Sequence, residues 1–317
     1  MRYLLFLISF ISFSTFSQDF KWEEEKIEVK TGEDQNVILS ADAIISEGWS
    51  GFAQPNFWRN IMTLAPDSCI VNIAKTREVI DITSNIQWNK QTNDQKDVFR
   101  DSVRTAHGLT SEDRIFVTTG KKDFYKFDVV YPSLADGVAA FESNDVDPWY
   151  AQAILLIESP GQLKKSRAGA YGPFQLMPSV ARAQGLTVNR YTDERSDFER
   201  SAFGSSNLIK TMCIPEAKRI LNAHNLEFSE NDIWFRLFVL HVYHAGAGNV
   251  SAVVNKIAPK EGGQQLIQTM WNTTAASFGN NSQNYSQLAL ASQLILHDIV
   301  HNESDSIQSC SSDSAMK

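Results

Sequence analysis

One segment constrains the fold of this chain more than any other: Asp147-Pro-Trp-Tyr-Ala-Gln-Ala-Ile-Leu-Leu-Ile-Glu-Ser159. Proline suits the first position of a helix, and the aspartate before it can cap the free N–H groups there. The pattern therefore predicts a helix that starts at Pro148 and stops near Pro160, with Glu158 in its last turn.

The position of Glu158 suggests a carboxyl group that stays protonated near neutral pH. The negative end of the helix dipole lies at the last turn, and Leu155, Leu156 and Ile157 before it indicate poor solvation. Both effects disfavour the carboxylate and would raise its pKa. A protonated carboxyl at neutral pH is what general acid catalysis needs.

Apolar residues recur at helical spacing along most of the chain, so the predicted fold class is mainly α. We expect a signal peptide over 1–17, a mostly helical N-terminal domain of unassigned role with a small β-hairpin over 18–144, a second helical domain over 145–302 and a disordered tail over 303–317. Predicted helices of the second domain cover Pro148–Glu158, Pro178–Gln184, Phe198–Met212, Pro215–Ala223, Asp232–Tyr243, Asn249–Ile257, Gln264–Ala275 and Ser282–His301.

In the N-terminal half, the spacing predicts helices over 55–64, over 67–88 and over 132–141. A hairpin is expected where two apolar runs, 114–119 and 123–129, flank Gly120-Lys-Lys. The aromatic residues of this half are interpreted as core rather than as a ligand platform, because their neighbours continue the apolar stripe.

The first residues combine one basic residue with an apolar stretch too short to span a bilayer comfortably, which predicts a cleaved signal peptide; an uncleaved anchor is the alternative. The mature protein is then expected to be exported, with no stable membrane span. A net charge of −8 argues against nucleic acid or an anionic membrane as partner. Three cysteines allow one disulfide, most plausibly Cys69 with Cys213, or else free buried thiols.

Two further motifs follow the Glu158 helix: Ser166-Arg-Ala-Gly-Ala-Tyr-Gly-Pro-Phe-Gln-Leu-Met-Pro178 and Tyr243-His-Ala-Gly-Ala-Gly-Asn-Val250. With Glu158-Ser159, they resemble the catalytic domain of soluble-lytic-transglycosylase (SLT) type, glycoside hydrolase family 23, which is lysozyme-like. The stretch Tyr191-Thr-Asp-Glu-Arg-Ser-Asp197 is similar to the branch that includes membrane-bound lytic murein transglycosylase D.

The resemblance implies cleavage of the peptidoglycan β-1,4 bond between N-acetylmuramic acid and N-acetylglucosamine without water. Glu158 would protonate the glycosidic oxygen and then, as a carboxylate, deprotonate the C6 hydroxyl, closing a 1,6-anhydro ring. The resemblance implies that this reaction requires no cofactor and no metal. The substrate-binding positions it implies are Ser159, Gly169, Gly172, Gln175, Met177, Tyr243 and His244.

Several of these residues have specific expected roles. Gln175 would contact the sugar, and Tyr243 would hold Glu158 or assist proton transfer. Gly169 and Gly172 would let backbone approach a sugar; a tight turn and no more is the alternative, and the neighbouring Glu158 and Tyr243 motifs count against it. Asp193, Glu194 and Asp197 are interpreted as helix caps and surface charges.

The chain departs from the family pattern at His244, where the family usually has Asn. An imidazole is wider than an amide and can carry charge, which affects sugar pose, pH profile and activity. Two alternatives therefore stay open: a peptidoglycan-binding scaffold without turnover, and a hydrolytic muramidase on the same fold.

A four-histidine zinc site is also conceivable. His241 and His244 are three residues apart on one predicted helix, and His297 and His301 are four apart on another. Core or surface histidines are the simpler interpretation, because no cysteine or His-Glu-x-x-His pattern accompanies them.

Overall fold

The predicted helical character is confirmed by a computed structural model of the protein, which describes Trp22 and residues 26–31, 34–125, 127–158, 163 and 165–313. The predicted signal peptide and Ser159 lie outside these described residues. In chain order the helices are α1 (Asp42–Ser46), α2 (Ala53–Thr63), α3 (Asn85–Lys90), α4 (Asn93–Ala106), α5 (Phe127–Ser143), α6 (Pro148–Glu158), α7 (Pro178–Ala183), α8 (Phe198–Leu208), α9 (Ile214–Asn222), α10 (Ile233–Ala245), α11 (Ala247–Ile257), α12 (Gln264–Asn272) and α13 (Asn280–Asp313). A π-helical turn, Ile209–Cys213, joins α8 to α9.

The strands form two small antiparallel sheets. They are β1 (Lys26–Thr31), β2 (Asp34–Leu39), β3 (Ser68–Ile73), β4 (Val79–Ser84) and β5 (Ile115–Thr119). β1 pairs with β2, and the second sheet has the order β4-β3-β5. In the second sheet Ile70 faces Ile82 on one side and Thr118 on the other.

Two expectations for the N-terminal half were wrong. Much of the stretch expected to be helical within 67–88 is the β3–β4 hairpin, because its run of β-branched residues packs β3 into the core with all but Ser68 buried. The hairpin predicted around Gly120 does not form, since β5 pairs with β3 and α5 begins at Phe127. Gly120 instead allows a close backbone approach, because an added Cβ would lie 2.4 Å from the Leu64 carbonyl oxygen.

Helix α6 lies at the centre of the molecule, and all its residues from Pro148 to Ile157 are buried. Its start is fixed by Asp147, whose Oδ1 accepts a hydrogen bond from the Trp149 N–H at 2.9 Å, so the predicted cap is confirmed. The other oxygen, Oδ2, pairs with Arg236 Nε on α10 at 2.7 Å. A buried ion pair therefore joins α6 to α10.

A second polar side chain ties α6 to the two ends of the chain. The Gln152 amide accepts from the Leu39 N–H at 2.9 Å and donates to the Leu39 carbonyl at 3.0 Å, as a strand would. It also donates to Gln293 Oε1 on α13 at 2.7 Å. The N-terminal strand β2, α6 and α13 are thus held together by one buried side chain.

Helix α13 differs from its expected end. The composition predicts a disordered tail from residue 303, whereas the backbone stays helical to Asp313. Extending an established helix costs far less than starting one, so polar residues can follow a well-packed first half. Within the described residues, no helix combines the length and apolar content needed to cross a bilayer.

Cys69 and Cys213 are both buried free thiols, so the expected disulfide between them is wrong. Cys69 lies in β3 and its Sγ contacts the Thr83 carbonyl of the neighbouring strand. Cys213 ends the π-helical turn, where burial raises its pKa to about 12. The alternative of buried thiols therefore holds for this pair.

The Asp147–Arg236 pair generates the first prediction. Asp147→Ala should lower the free energy of unfolding by about 3–5 kcal/mol, because the Arg236 guanidinium would lose its buried carboxylate. Denaturant unfolding at pH 7 measures this. In the control Asp97→Ala, removal of a carboxylate that is 68% exposed in its pair with Arg100 should cost less than about 1 kcal/mol. Equal losses in the two variants would contradict the structural role of the buried pair.

Candidate active site

Glu158 ends α6 at the edge of a pocket of about 320 Å³. The described lining residues come from three parts of the chain that are far apart in sequence: Trp58, Lys121 and Tyr125 in the N-terminal half, Ile157, Glu158 and His244 in the middle, and Asn280, Asn281, Asn284, Tyr285 and Leu288 on α13. Glu158 is the one carboxyl group among them.

The environment of Glu158 disfavours its ionised form. Burial raises its pKa to about 7, and the adjacent Tyr285 hydroxyl opposes this shift. That hydroxyl is buried and falls short of a well-formed hydrogen bond with any partner, so the phenol interacts with the carboxyl without fixing it tightly. Desolvation is thus the dominant effect, and near neutral pH it favours the protonated form of Glu158 more than in an exposed carboxyl group.

Tyr243 lies close to Glu158 but does not bind it. The Tyr243 hydroxyl donates to the Phe174 carbonyl at 2.7 Å and lies 3.1 Å from Ser205 Oγ. Burial raises its pKa, and the nearby Glu158 adds to that effect. Because a phenol has one proton to donate, Tyr243 anchors the turn that contains Phe174, and Tyr285 is the phenol next to the acid.

The glycine-rich motif forms a tight turn around a buried arginine. Arg195 is 2% exposed, and its Nη1 donates to the carbonyls of Gly169 at 2.9 Å and Leu176 at 2.8 Å. Asp193 balances its charge through an ion pair at 2.7 Å. Tyr171 and Leu176 close the turn as an isolated β-bridge.

In this turn, Gly172 is required for a reason other than the expected approach to a sugar. Gly172 has φ +86°, and an added Cβ would lie 1.7 Å from the Arg195 carbonyl oxygen. Its missing side chain therefore makes room for backbone, not for a sugar. Gly169 has φ +96° with open space beside it, so its predicted approach to a sugar stays a prediction.

Gln175 and Met177 lie on the same turn, outside the described lining of the Glu158 pocket. The Gln175 amide donates to the Gly172 carbonyl at 3.0 Å, and Gln175 has a positive φ of 47°. Met177 is 38% exposed and precedes α7 as its N-cap residue. Their roles toward a sugar stay predictions, and Ser159 lies outside the described residues.

His244 faces the Glu158 pocket as a neutral ring. It stacks on Tyr285 with the ring centroids 4.2 Å apart, and burial lowers its pKa to about 4. The imidazole that replaces the family's amide therefore adds no positive charge beside the acid at neutral pH. It packs against the phenol that interacts with Glu158.

The other acidic residues of the motif region have structural roles. Asp193 pairs with Arg195, Glu194 accepts hydrogen bonds from the Thr187 N–H and from Arg200, and Asp197 caps α8 by accepting from the Arg200 N–H at 2.8 Å. Their interpretation as caps and surface charges is confirmed.

The histidines do not assemble as one four-residue site. His241 is fully buried, its Nε2 lies 2.9 Å from Ser286 Oγ, and burial lowers its pKa to about 3. His297 and His301 group instead with Asp42, with one potential ligand atom from each within 4.8 Å of the others. The two imidazole rings are tilted by 32° relative to each other, with their centroids 3.8 Å apart.

Sequence reasoning missed most of the pocket wall. Trp58 was assigned to the core and Tyr285 to a packing helix, while Lys121 was placed in a hairpin. The one available signal was the amide cluster Asn280, Asn281 and Asn284 at the start of α13, because adjacent amides on a helix suggest hydrogen bonding to a polar ligand.

A carboxyl group at the end of a buried helix in a mainly α-helical fold is the arrangement expected of a lysozyme-like domain. Residues 138–265 match the family described as Transglycosylase SLT domain. This match supports an SLT-type domain in this part of the chain, and in general terms it indicates lytic transglycosylase activity on peptidoglycan. No curated protein shows significant similarity to the chain.

Gly172 provides the second prediction. Gly172→Ala should lower the free energy of unfolding by at least about 1–3 kcal/mol, because a Cβ cannot coexist with the Arg195 carbonyl and alanine disfavours a positive φ. Thermal or denaturant unfolding measures the change. Gly248→Ala is the matched control: this glycine lies in α11 with no atom within 4 Å of an added Cβ, so the variant should be as stable as wild type or slightly more so. A stable Gly172→Ala variant would contradict the close approach.

Proposed function

We propose that the protein is a lytic transglycosylase in which Glu158 alone serves as general acid and then as general base. The observation that carries the proposal is a carboxyl group with its pKa raised to about 7 in a pocket where it is the one carboxyl among the described lining residues. The substrate is the β-1,4 bond between N-acetylmuramic acid and N-acetylglucosamine.

A single carboxyl favours an intramolecular reaction over hydrolysis. Retaining glycosidases place two carboxyl groups about 5–5.5 Å apart and inverting ones about 6.5–9.5 Å apart, because the second group acts as nucleophile or activates water. With one carboxyl group among the described lining residues, the acid gives its proton to the glycosidic oxygen as the C1–O bond breaks. The substrate's N-acetyl group would support the positive charge that develops at C1.

The same raised pKa suits the second step. Once Glu158 has lost its proton, it is a stronger base than an exposed carboxylate, because its charge is poorly solvated. It takes the proton of the muramic C6 hydroxyl as that oxygen bonds to C1, which forms the 1,6-anhydro ring and restores the neutral acid.

We extend the proposal to a branch of the family and to a cellular location. The stretch 191–197 supports placement in the branch that includes membrane-bound lytic murein transglycosylase D. The apolar N-terminal stretch supports export to the periplasm or outer envelope of a bacterium, where peptidoglycan lies.

Glu158→Gln is the direct test. The amide cannot donate or accept the transferred proton, so release of anhydro-muropeptides from purified sacculi should fall by at least about a hundredfold, while binding to sacculi remains. Mass spectrometry of the products is the measurement, since hydrolysis would give reducing ends one water heavier. Hydrolytic products would identify a muramidase, and a wild-type protein that binds sacculi without releasing products would identify a scaffold.

The pH dependence of stability provides a control for the folding of the Glu158→Gln variant. Because the folded state raises the pKa of Glu158 from 4.5 to about 7, the wild type loses stability as pH rises through that interval. The Glu158→Gln protein should therefore match wild type in melting temperature near pH 4.5 and exceed it at pH 8.

Tyr285→Phe tests the electrostatic environment of the acid. The Tyr285 hydroxyl lowers the pKa of Glu158, so its removal should raise that pKa and move the alkaline limb of the pH profile of kcat/KM to higher pH. The measurement is the kcat/KM of cleavage between pH 5 and 9. Tyr150→Phe removes the hydroxyl of a buried tyrosine on α6 that does not line the Glu158 pocket, so this variant should leave the limb in place. A limb that stays fixed or moves to lower pH in Tyr285→Phe would mean that Tyr285 does not act on Glu158.

A further inference from the structure

The Glu158 pocket adjoins a second cavity whose described lining residues lie outside the matched transglycosylase segment. This second cavity, of about 350 Å³, shares Asn280 and Asn284 of α13 with the first. Its lining also includes Arg77 from the turn between β3 and β4, Phe116 from β5, and two acidic residues, Glu112 and Asp113. We call the two adjoining cavities the groove; the N-terminal sheet supplies part of its wall.

Trp58 marks the junction of the two cavities. Its indole N–H donates to Gln287 Oε1 on α13 at 3.1 Å. Lys121 Nζ lies 5.6 Å from the Trp58 ring centroid, and the Arg77 guanidinium lies 5.8 Å from it. One aromatic side chain thus holds a cation of each cavity.

Arg77 is half-buried and Lys121 is exposed, and no ion pair among the described residues includes either side chain. Partial burial lowers the pKa of Arg77. Arg77 is held by the Phe57 ring, 5.0 Å away, and by a long contact of 3.4 Å to Asn284 Oδ1. A partly desolvated guanidinium normally has an anionic partner, so Arg77, with Lys121 on the same groove, is suited to bind an anion.

The pocket acid does not serve as that anion. Glu158 lines the same pocket as Lys121, but no ion pair among the described residues joins the two side chains. A guanidinium with free N–H groups is suited to bind a carboxylate through two hydrogen bonds. A backbone φ of +64° at Arg77 shows that the turn holds this residue in an unfavourable conformation, as is common where a side chain is positioned for function.

We propose that Arg77 and Lys121 form a subsite for a carboxylate on the glycan strand, supplied by the N-terminal half of the chain. This inference rests on the proposed function, because it takes a peptidoglycan strand as the occupant of the groove. Two groups on such a strand have the required chemistry: the lactyl carboxylate of a muramic acid without peptide, and a carboxylate of the peptide stem.

Binding in the Glu158→Gln background tests the subsite without turnover. The ligands are peptide-free glycan strands, peptide-bearing strands and a neutral chito-oligosaccharide of equal length. At least one carboxylate-bearing ligand should bind about tenfold or more tightly than the neutral one, as expected for charged hydrogen bonds, and the preference should decrease with salt. The better of the two charged ligands identifies the source of the carboxylate.

Adding Arg77→Gln to the Glu158→Gln protein should reduce the ratio of charged-ligand affinity to neutral-ligand affinity toward one. Adding Arg77→Lys should keep part of the preference. Arg100→Gln is the matched control: Arg100 also stacks on a tryptophan of the N-terminal half, 5.3 Å from the Trp88 ring, but does not line either cavity, so the preference should be retained. Lys121→Gln, on the other side of Trp58, should lower the preference even if Arg77→Gln fails to fold.

Equal binding of neutral and charged strands in the Glu158→Gln protein would overturn the subsite, and so would an undiminished preference in the folded Arg77 and Lys121 variants. Either result leaves cleavage by wild type intact. Conversely, a wild type that cleaves nothing but shows the Arg77-dependent preference would refute the proposed function and support the subsite.

Discussion

The complete burial of α6 is the constraint on which the rest of the structure depends. A helix with no solvent-facing side must have its polar side chains bonded inside the protein, because an unsatisfied buried polar group is costly. Gln152 satisfies this requirement with Leu39 and Gln293, and Asp147 does so with the Trp149 N–H and Arg236. These bonds fix the helix relative to both ends of the chain. The desolvation that raises the pKa of Glu158 is a direct consequence of where this helix ends.

Much of the helical framework could be predicted from sequence, since apolar spacing, Pro148 and Asp147 are local signals that act within one element. The β3–β4 hairpin could not. Hairpin turns usually have glycine or asparagine where φ is positive, whereas the turn here uses Arg77 at +64°. Gly120 had the opposite effect, because it suggested a turn where the backbone of Leu64 and Ala65 needs space. A glycine can mark either a turn with a positive φ or a position where another backbone segment comes close, and the sequence alone does not distinguish the two.

The candidate site likewise contains residues that could be predicted from sequence and residues that could not. Glu158, Tyr243 and the glycine-rich turn were found because they lie in compact motifs, and residues 138–265 match a known family. Trp58, Lys121 and Tyr285 lie outside that segment and meet Glu158 through tertiary packing, which no local pattern encodes. Tyr243 shows the limit of motif transfer, since its hydroxyl holds the Phe174 carbonyl and a phenol more than forty residues away interacts with the acid.

His244 illustrates how a departure from a family pattern can be accommodated by its surroundings. A charged imidazole beside Glu158 would stabilise the carboxylate and work against a general acid. Burial lowers the pKa of His244 to about 4, so the ring is neutral where Glu158 is still protonated. Its stacking on Tyr285 then orients the phenol that tunes the acid. The same desolvation that keeps Glu158 protonated therefore also removes the charge that would have made histidine incompatible with this position.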